Sequence, residues 1–375
     1  MNFESILLAT TVIFLYTWGG YALLLWLARH MFSTRPKSGS FAPVVSMIVA
    51  VHNEESEIAA KLEDCLRLEY PRDRLEILVA SDGSTDRTEA IVEEFASRER
   101  RISLLRCQRS GKSGAQNLAV QHARGEVLVF TDAGTRTRPN VLQALVSNFS
   151  DSRVGMATGV VYFGHPGEAV LKGQGFYWSY EFFLRQAESD IGILATATGT
   201  SLAMRRELFR PMASCYGDDC ILPLDVRLQG YRVVQEPAAV VYDTMPHTVE
   251  SELRSRVRMT ARNWTGTLSR PALLNPFRFP LTALGLFSHK LLRWLTPVLL
   301  VIVFVTNTIL VLQHEQVLPW ILQIVFYVSA VIGWFLARKK KRAGVFAYPF
   351  SFCLANLGFI LGIVKGLRNQ RIVAY

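Results

Sequence analysis

Three short acidic segments follow apolar runs in the first third of the chain. His52-Asn53-Glu54-Glu55 follows Val44–Val51, Ser81-Asp82-Gly83-Ser84 follows Leu75–Ala80, and Thr131-Asp132-Ala133-Gly134 follows Val127–Phe130. Asp, Gly and Ser are common turn residues, so any one of these segments reads as a plain loop. Their recurrence at matching ends of strand-length runs suits a crevice that binds a polar ligand. A cation stands nearby in Gly111-Lys112-Ser113. A phosphate-binding P-loop needs a glycine five residues before its Gly-Lys-Ser, and that position is Arg106, which excludes an ATPase of that kind. A lysine in a glycine-flanked loop can still meet a diphosphate as a point charge.

Periodicity identifies the elements that must position these residues. Val44–Val51 is a continuous, partly β-branched apolar run of buried-strand length. Ile58, Leu62 and Leu66 then recur at helical spacing until Tyr70-Pro71 stops them. Leu75–Ala80 reads as a second strand, followed by Thr85 and Asp86 as candidate caps and by Ile91, Val92 and Phe95 on one helix face. Ile102–Leu105 and Val127–Phe130 read as third and fourth strands. This alternation predicts an α/β domain with a parallel sheet covered by helices on both faces.

The composition sets that domain in a membrane. Half of the 375 residues are hydrophobic, only 19% are charged, and mean hydropathy is +0.21, against about a quarter charged in an ordinary soluble chain. Ser5–Ala28, Trp294–Leu312, Val317–Ala337 and Ala343–Val364 carry no charge and are expected to span. Phe277–Leu292, with Arg278, His289 and Lys290 among apolar residues, is expected to lie in the interface. Arg29, Arg35 and Lys37 after the first span, and the block Arg338-Lys339-Lys340-Lys341-Arg342, put the chain's middle on the cytoplasmic side of the cell's inner membrane. Lys365, Arg368 and Arg371 oppose that count, leaving the last stretch either re-entrant or an exception to the rule. The expected layout is a transmembrane helix over 1–32, a catalytic domain over 33–270 and a membrane region over 271–375. The net charge of +10 follows the membrane ends, so nucleic acid is not an expected partner. Five cysteines without C-x-x-C spacing argue against a disulfide framework or a structural zinc site. Uncharged spans argue against a transporter.

Val51-His52-Asn53-Glu54-Glu55, Asp82-Gly83-Ser84-Thr85-Asp86, Gly111-Lys112-Ser113-Gly114-Ala115-Gln116-Asn117 and Thr131-Asp132-Ala133 come in the order of the signatures of family 2 glycosyltransferases, which the chain resembles. Thr198-Gly199-Thr200, Arg205-Arg206-Glu207, Gly217-Asp218-Asp219 and Gly230-Tyr231-Arg232-Val233-Val234 extend the likeness over roughly residues 44–265. The resemblance implies a GT-A, Rossmann-like domain inserted between transmembrane helices. It also implies inverting sugar transfer from a nucleotide diphosphate, with a UDP-sugar expected, to a lipid-linked or polysaccharide acceptor. By the same resemblance, Asp82 would bond the donor's base, with His52 and Glu54 beside it. Lys112 would face the diphosphate, and Asp132 would hold Mg²⁺ or Mn²⁺ against it. Asp219 would be the general base with Asp218 as its acidic neighbour, a pairing that raises a carboxyl pKa.

Two departures from the pattern stand out. The usual Asp-x-Asp metal motif is Asp132-Ala133-Gly134, so Asp132 would act alone or with a residue such as His247. The Gln-x-x-Arg-Trp motif of polymerising members corresponds to Met259-Thr260-Ala261-Arg262-Asn263-Trp264, where Arg262 can take the Arg position and Trp264 is displaced by one. Polymer synthesis and single transfer both stay open. Arg254, Arg256 and Arg258 have a second reading as contacts to anionic headgroups. The alternative from another class is a catalytically inactive, nucleotide-sugar-binding regulator or assembly subunit.

Overall fold

The computed structural model describes residues 2–35, 39, 41–163, 176–244, 248–315, 317–339 and 341–368. Two compact units form: one from Met1–Leu24, Pro246–Trp264 and Leu286–Gln370, the other from Leu25–Met245 with Thr265–Gly285. The second unit carries an eight-stranded sheet: β1 Val45–Val51, β2 Leu75–Asp82, β3 Ile102–Cys107, β4 Val127–Asp132, β5 Arg136–Thr137, β6 Val154–Phe163, β7 Ser201–Arg205 and β8 Arg232–Asp243. Their spatial order is β3-β2-β1-β4-β7-β6-β8-β5.

All seven residues of β1 are buried, because helices cover both faces of the sheet. Val45, Met47, Val49 and Val51 face one core with Ile58, Leu62, Cys65, Val92 and Leu142. Ile48 and Ala50 face the other, with Ala115, Ala119, Ile221 and Leu222. The strands β3, β2, β1 and β4 are parallel, as their alternation with helices predicts. The sheet as a whole is mixed, not parallel: β7 runs antiparallel to both β4 and β6. Parallel pairing follows from a crossover that brings the chain back to the same end, and β7 instead begins with Ser201 beside Thr131, at the carboxyl end of β4, and runs back along it. Between β6 and β8 the register shifts twice. At one shift Gly159 lies so close to the Ala239 carbonyl that an added Cβ would stand 2.4 Å from it.

The helix Ile58–Leu66 differs from its predicted face. It buries Ile58, Lys61, Leu62 and Cys65, while Leu66 is only half-buried. At 100° per residue, Lys61 falls next to Cys65, at the edge of the inner stripe that Cys65, Ile58 and Leu62 form.

In the other unit and the segments flanking it, Phe3–Phe32, Val317–Arg338 and Gly344–Leu367 are long and apolar enough to cross a membrane. The expected span Trp294–Leu312 is altered: Thr296–Leu312 has 17 residues and meets the helical segment Pro280–Trp294 at a 56° bend. The bend falls where Pro297 can donate no N–H to the preceding turn. Near the start of this unit the Tyr16 hydroxyl lies 2.7 Å from Ser288 Oγ, and Arg293 stacks on Trp18 at 5.1 Å. The helix Val249–Leu268 packs on a small-residue face of the last span: a Cβ at Gly358 would meet Arg256 Cβ at 2.8 Å, and one at Gly362 would meet Thr260 Cβ at 2.6 Å. Arg256 also donates to Glu252 of its own helix at 2.7 Å.

Candidate active site

The sheet changes direction of growth at β1, with β2 to one side and β4 to the other, so its crevice opens at the carboxyl ends of β1 and β4. Asp82 and Asp132 are the last residues of β2 and β4, not the first of their turns.

The loops after β1 and β2 are stitched together. Asn53 has φ 55°, a left-handed backbone that asparagine tolerates, and its Oδ1 accepts from Thr85 N at 2.8 Å. Glu55 N donates to Asp86 Oδ2 at 3.1 Å, and Arg87 N donates back to Glu55 Oε2 at 3.0 Å. His52 Nδ1 lies 2.9 Å from the Asp82 carbonyl.

Asp82 itself is 0% exposed. Its Oδ1 accepts from Ser110 N at 2.6 Å and Gly111 N at 3.0 Å, and Oδ2 accepts from Gly111 N at 2.9 Å. Gly111, at φ 82°, precedes the helix Lys112–His122, so Asp82 caps that helix from a neighbouring strand and fixes where Lys112 begins.

Lys112 is a cation at a helix N-terminus, where the macrodipole disfavours it. Two carboxylates compensate: its Nζ lies 2.6 Å from Asp132 Oδ1 and 2.9 Å from Asp218 Oδ2. Burial alone would lower the Lys112 pKa, but Asp132 and Asp218 together raise it above its ordinary value. Gln116, one turn further along, donates to the same Asp218 Oδ2 at 2.8 Å. Asp218 and Asp219 begin the helix Asp218–Leu228, the end that favours acids. That helix contains Pro223, which has no N–H for the carbonyl of Asp219 four residues back. Ala197 N donates to that carbonyl instead, at 3.0 Å, and draws the Thr198-Gly199 segment against the acids. A Cβ at Gly199 would stand 3.4 Å from both Asp218 Oδ1 and Asp219 Cβ. Gly199→Val would push branched carbons into the pair, and a displacement of about 1 Å can cost about 100-fold in turnover. We expect a loss of that order with the circular dichroism spectrum unchanged.

Two further acids belong to this neighbourhood. Burial, then the carboxylates of Glu57, Asp132 and Asp86, hold Glu54 above the usual carboxylate range. Burial, with Asp132 adding to it, does the same for Asp243 at the end of β8. Sequence reasoning missed Asp243, although its position repeats that of Asp82 and Asp132. It also missed Gln116 and Pro223, whose signal was a helix interrupter next to paired acids. Because both pKa values are raised on folding, the folded state holds these protons longer than the unfolded one. Stability is therefore lost as pH rises from the ordinary values of 4.5 and 3.8 through the raised ones. The double variant Glu54→Gln/Asp243→Asn should flatten the fall of the thermal midpoint over that window, as scanning calorimetry would record.

The structure thus brings Asp82, Lys112, Asp132, Asp218 and Asp219 together with His52 and Glu54. Arg262 and Trp264 stand on Val249–Leu268 in the other unit, where Trp264 meets Trp294 edge-on at 6.0 Å. His247 lies outside the described residues.

Comparison with known proteins bears on this arrangement. The model of the family described as "Glycosyl transferase family 2" matches residues 46–212. An N-acetylglucosaminyltransferase of Rhizobium meliloti is 30% identical over 290 residues, covering 68% of each chain. The chain belongs to glycosyl transferase family 2. This family 2 chain is also 28% identical over 235 residues to a probable glycosyltransferase of Bacillus subtilis, covering 59% of the chain and 55% of that protein. It is 30% identical over 203 residues to a beta-monoglucosyldiacylglycerol synthase of a Nostoc species, covering 53% and 42%. It thus spans about half the length of these two relatives. A solved mannosyltransferase of Pyrobaculum calidifontis, in complex with GDP-Man and Mn²⁺, shares the fold with a TM-score of 0.74, 22% identity and coverage of 98% and 99%.

A divalent cation would find one carboxylate at the end of β4, that of Asp132. Among the described residues no three His, Cys, Asp or Glu side chains form a preformed cage. Asp132 keeps a third of its side chain exposed, and the space a Cβ of Gly134 would take is open, with nothing within 4 Å. Mg²⁺ and Mn²⁺ accept one or two protein carboxylates when substrate phosphates and water complete the shell. The site therefore fits a cation that arrives with a diphosphate.

Proposed function

We propose that this family 2 chain is an inverting glycosyltransferase that moves a sugar from a nucleotide diphosphate, a UDP-sugar in our reading, to a lipid-linked or polysaccharide acceptor. The catalytic domain would lie at the cytoplasmic face of the inner membrane. The observation that carries the proposal is Lys112, held between Asp132 and Asp218 where β1 and β4 end. The nucleotide sugar in the Pyrobaculum calidifontis structure and the sugar and lipid products named by the relatives support it.

In this reading Lys112 turns from its carboxylates to the diphosphate and screens the charge that builds on the leaving group. Asp132 would hold Mg²⁺ or Mn²⁺, whose role when bound is to neutralise the diphosphate as it departs. Asp82 acts on the donor through the Ser110–Gly111 backbone it organises as well as through its place beside the base, with His52 and Glu54 bordering the same pocket. Asp219 takes the proton of the acceptor hydroxyl, whose oxygen attacks the anomeric carbon. The bond from that carbon to the diphosphate oxygen breaks, and the nucleoside diphosphate leaves. Asp218, fixed by Gln116 and Lys112, keeps a negative charge next to the base. Arg262 and Trp264 are assigned to the diphosphate and the acceptor.

The test is transfer by the purified full chain with a panel of UDP- and GDP-sugars, with and without Mn²⁺, and native lipids as acceptors. Metal-dependent turnover of one donor supports the enzyme and names its sugar, and product length separates polymerisation from single transfer. Donor binding without turnover under all these conditions would favour the inactive regulator, a reading whose one support is the missing carboxylate at Gly134.

A further inference from the structure

Lys61 is the one lysine driven fully into the sheet domain's core among the described residues, at 1% exposure. Among the described residues its ammonium meets no carboxylate. Nζ donates to Thr131 Oγ1 at 2.8 Å, Thr135 Oγ1 at 3.1 Å and the Thr135 carbonyl at 3.2 Å. Three N–H groups thus find three neutral acceptors, but the charge stays in a poorly polarisable interior, which is unfavourable. An apolar side chain would fill a core helix at lower cost, and the two hydroxyls already approach each other at 3.3 Å. Packing therefore does not explain the lysine.

Its acceptors do. Thr131 immediately precedes Asp132 in β4, and Thr135 closes the turn after it, with its Oγ1 donating to the Asp132 carbonyl at 2.8 Å. From beneath the sheet, Lys61 ties both ends of the turn that presents Asp132. The turn itself holds Ala133 and Gly134, neither of which can brace it with a polar side chain. The same cation lies under a crevice lined by Glu54, Asp132, Asp218 and Asp243, with Lys112 and Arg136 as neighbouring positive groups.

We propose that Lys61 is a positioning residue. It clamps the Thr131–Thr135 turn so that the lone Asp132 is held ready for the diphosphate and its cation, joining the side chains at the two ends of a turn that Arg136 holds only at the Ala133 and Thr135 carbonyls. The inference rests on the reading above that Asp132 faces the donor's diphosphate.

The test uses the purified full chain and three variants: Lys61→Met, which keeps length but not charge, and the pair Thr135→Val and Thr135→Ser. Calorimetry would follow binding of UDP, or of GDP if only that binds wild type, as MnCl₂ is titrated. Hydrogen exchange would follow the amides of 131–135, and turnover would be measured well below the thermal midpoint. For Lys61→Met the Mn²⁺ needed for half-maximal nucleotide binding should rise about tenfold and kcat fall about 30-fold, with faster exchange confined to the turn. Thr135→Val should reproduce the direction of these changes, and Thr135→Ser should recover most of the loss. If Lys61→Met does not fold, the Thr135 pair decides. Variants that bind nucleotide with Mn²⁺ and turn over like a competent wild type overturn the inference and leave Lys61 as core filling. A wild type that binds neither nucleotide overturns the site reading itself, and the inference with it.

Discussion

Asp219→Asn is expected to lower transfer by about 1,000-fold, within the range a positioned general base contributes, while nucleotide binding stays within about threefold of wild type. The separation follows from geometry. Asp219 makes no hydrogen bond to Lys112, whose partners are Asp132 and Asp218. Its backbone places it: the amide donates to Asp218 Oδ1 at 3.1 Å and the carbonyl accepts from Ala197, neither of which an amide side chain disturbs. Initial rates and calorimetric UDP binding on the same preparation check it. A variant that loses binding and rate in parallel would move Asp219 from proton transfer to donor binding.

Lys112→Met should behave differently, losing turnover by about 100- to 1,000-fold and stability as well. Without the ammonium, Asp132 and Asp218 face each other without the charge that joined them, and breaking a largely buried pair by removing one partner costs about 3–5 kcal/mol. Exposure of Asp132 reduces that figure towards its lower end. Raised on folding, the Lys112 pKa contributes stability that is fully present below its ordinary value of 10.5 and is lost as pH rises from there through the folded one. The variant's deficit in thermal midpoint should therefore be constant across neutral pH, and a deficit that vanished there would refute the bridge. Added Mn²⁺ with UDP should restore part of the stability of Lys112→Met, since a second cation can then separate the two acids.

The parallel half of the sheet was legible because buried parallel strands read as unbroken apolar runs. The stretches 47–51 and 127–130 are such runs, and the acids that follow them mark the crevice. The other half was not. In β6 the glycines at 155 and 159 break the apolar pattern, since each sits where a neighbouring chain leaves no room for a side chain. The two-residue β5 is too short to have any period. Ordered motifs pointed to Lys112, Asp132 and Asp218, but nothing in them told that Lys112 would bridge the two acids. That pairing joins residues from a strand end and two helix starts, and depends on the sheet order. Lys61 escaped because a charge on an inner helix stripe is usually read as solvent-facing, and its three acceptors lie in a segment some seventy residues away. Asp243 escaped because Gln235-Glu236-Pro237 interrupt the apolar run of β8 well before its end.

The contact between Val249–Leu268 and the last span has a bearing on biogenesis. Arg256 and Thr260 leave the ribosome well before Gly358 and Gly362, the residues whose bare backbones they lie against. Through that interval the helix, amphipathic and rich in arginine, has no native surface to rest on. The sheet domain can finish folding meanwhile, since its strands are all translated by Asp243. Maturation should then occur in two stages, with the sheet becoming protease-resistant early and Val249–Leu268 only after the C-terminal helices insert. Larger side chains at Gly358 or Gly362 would prolong the second stage and expose this helix to quality-control proteolysis while sparing the first.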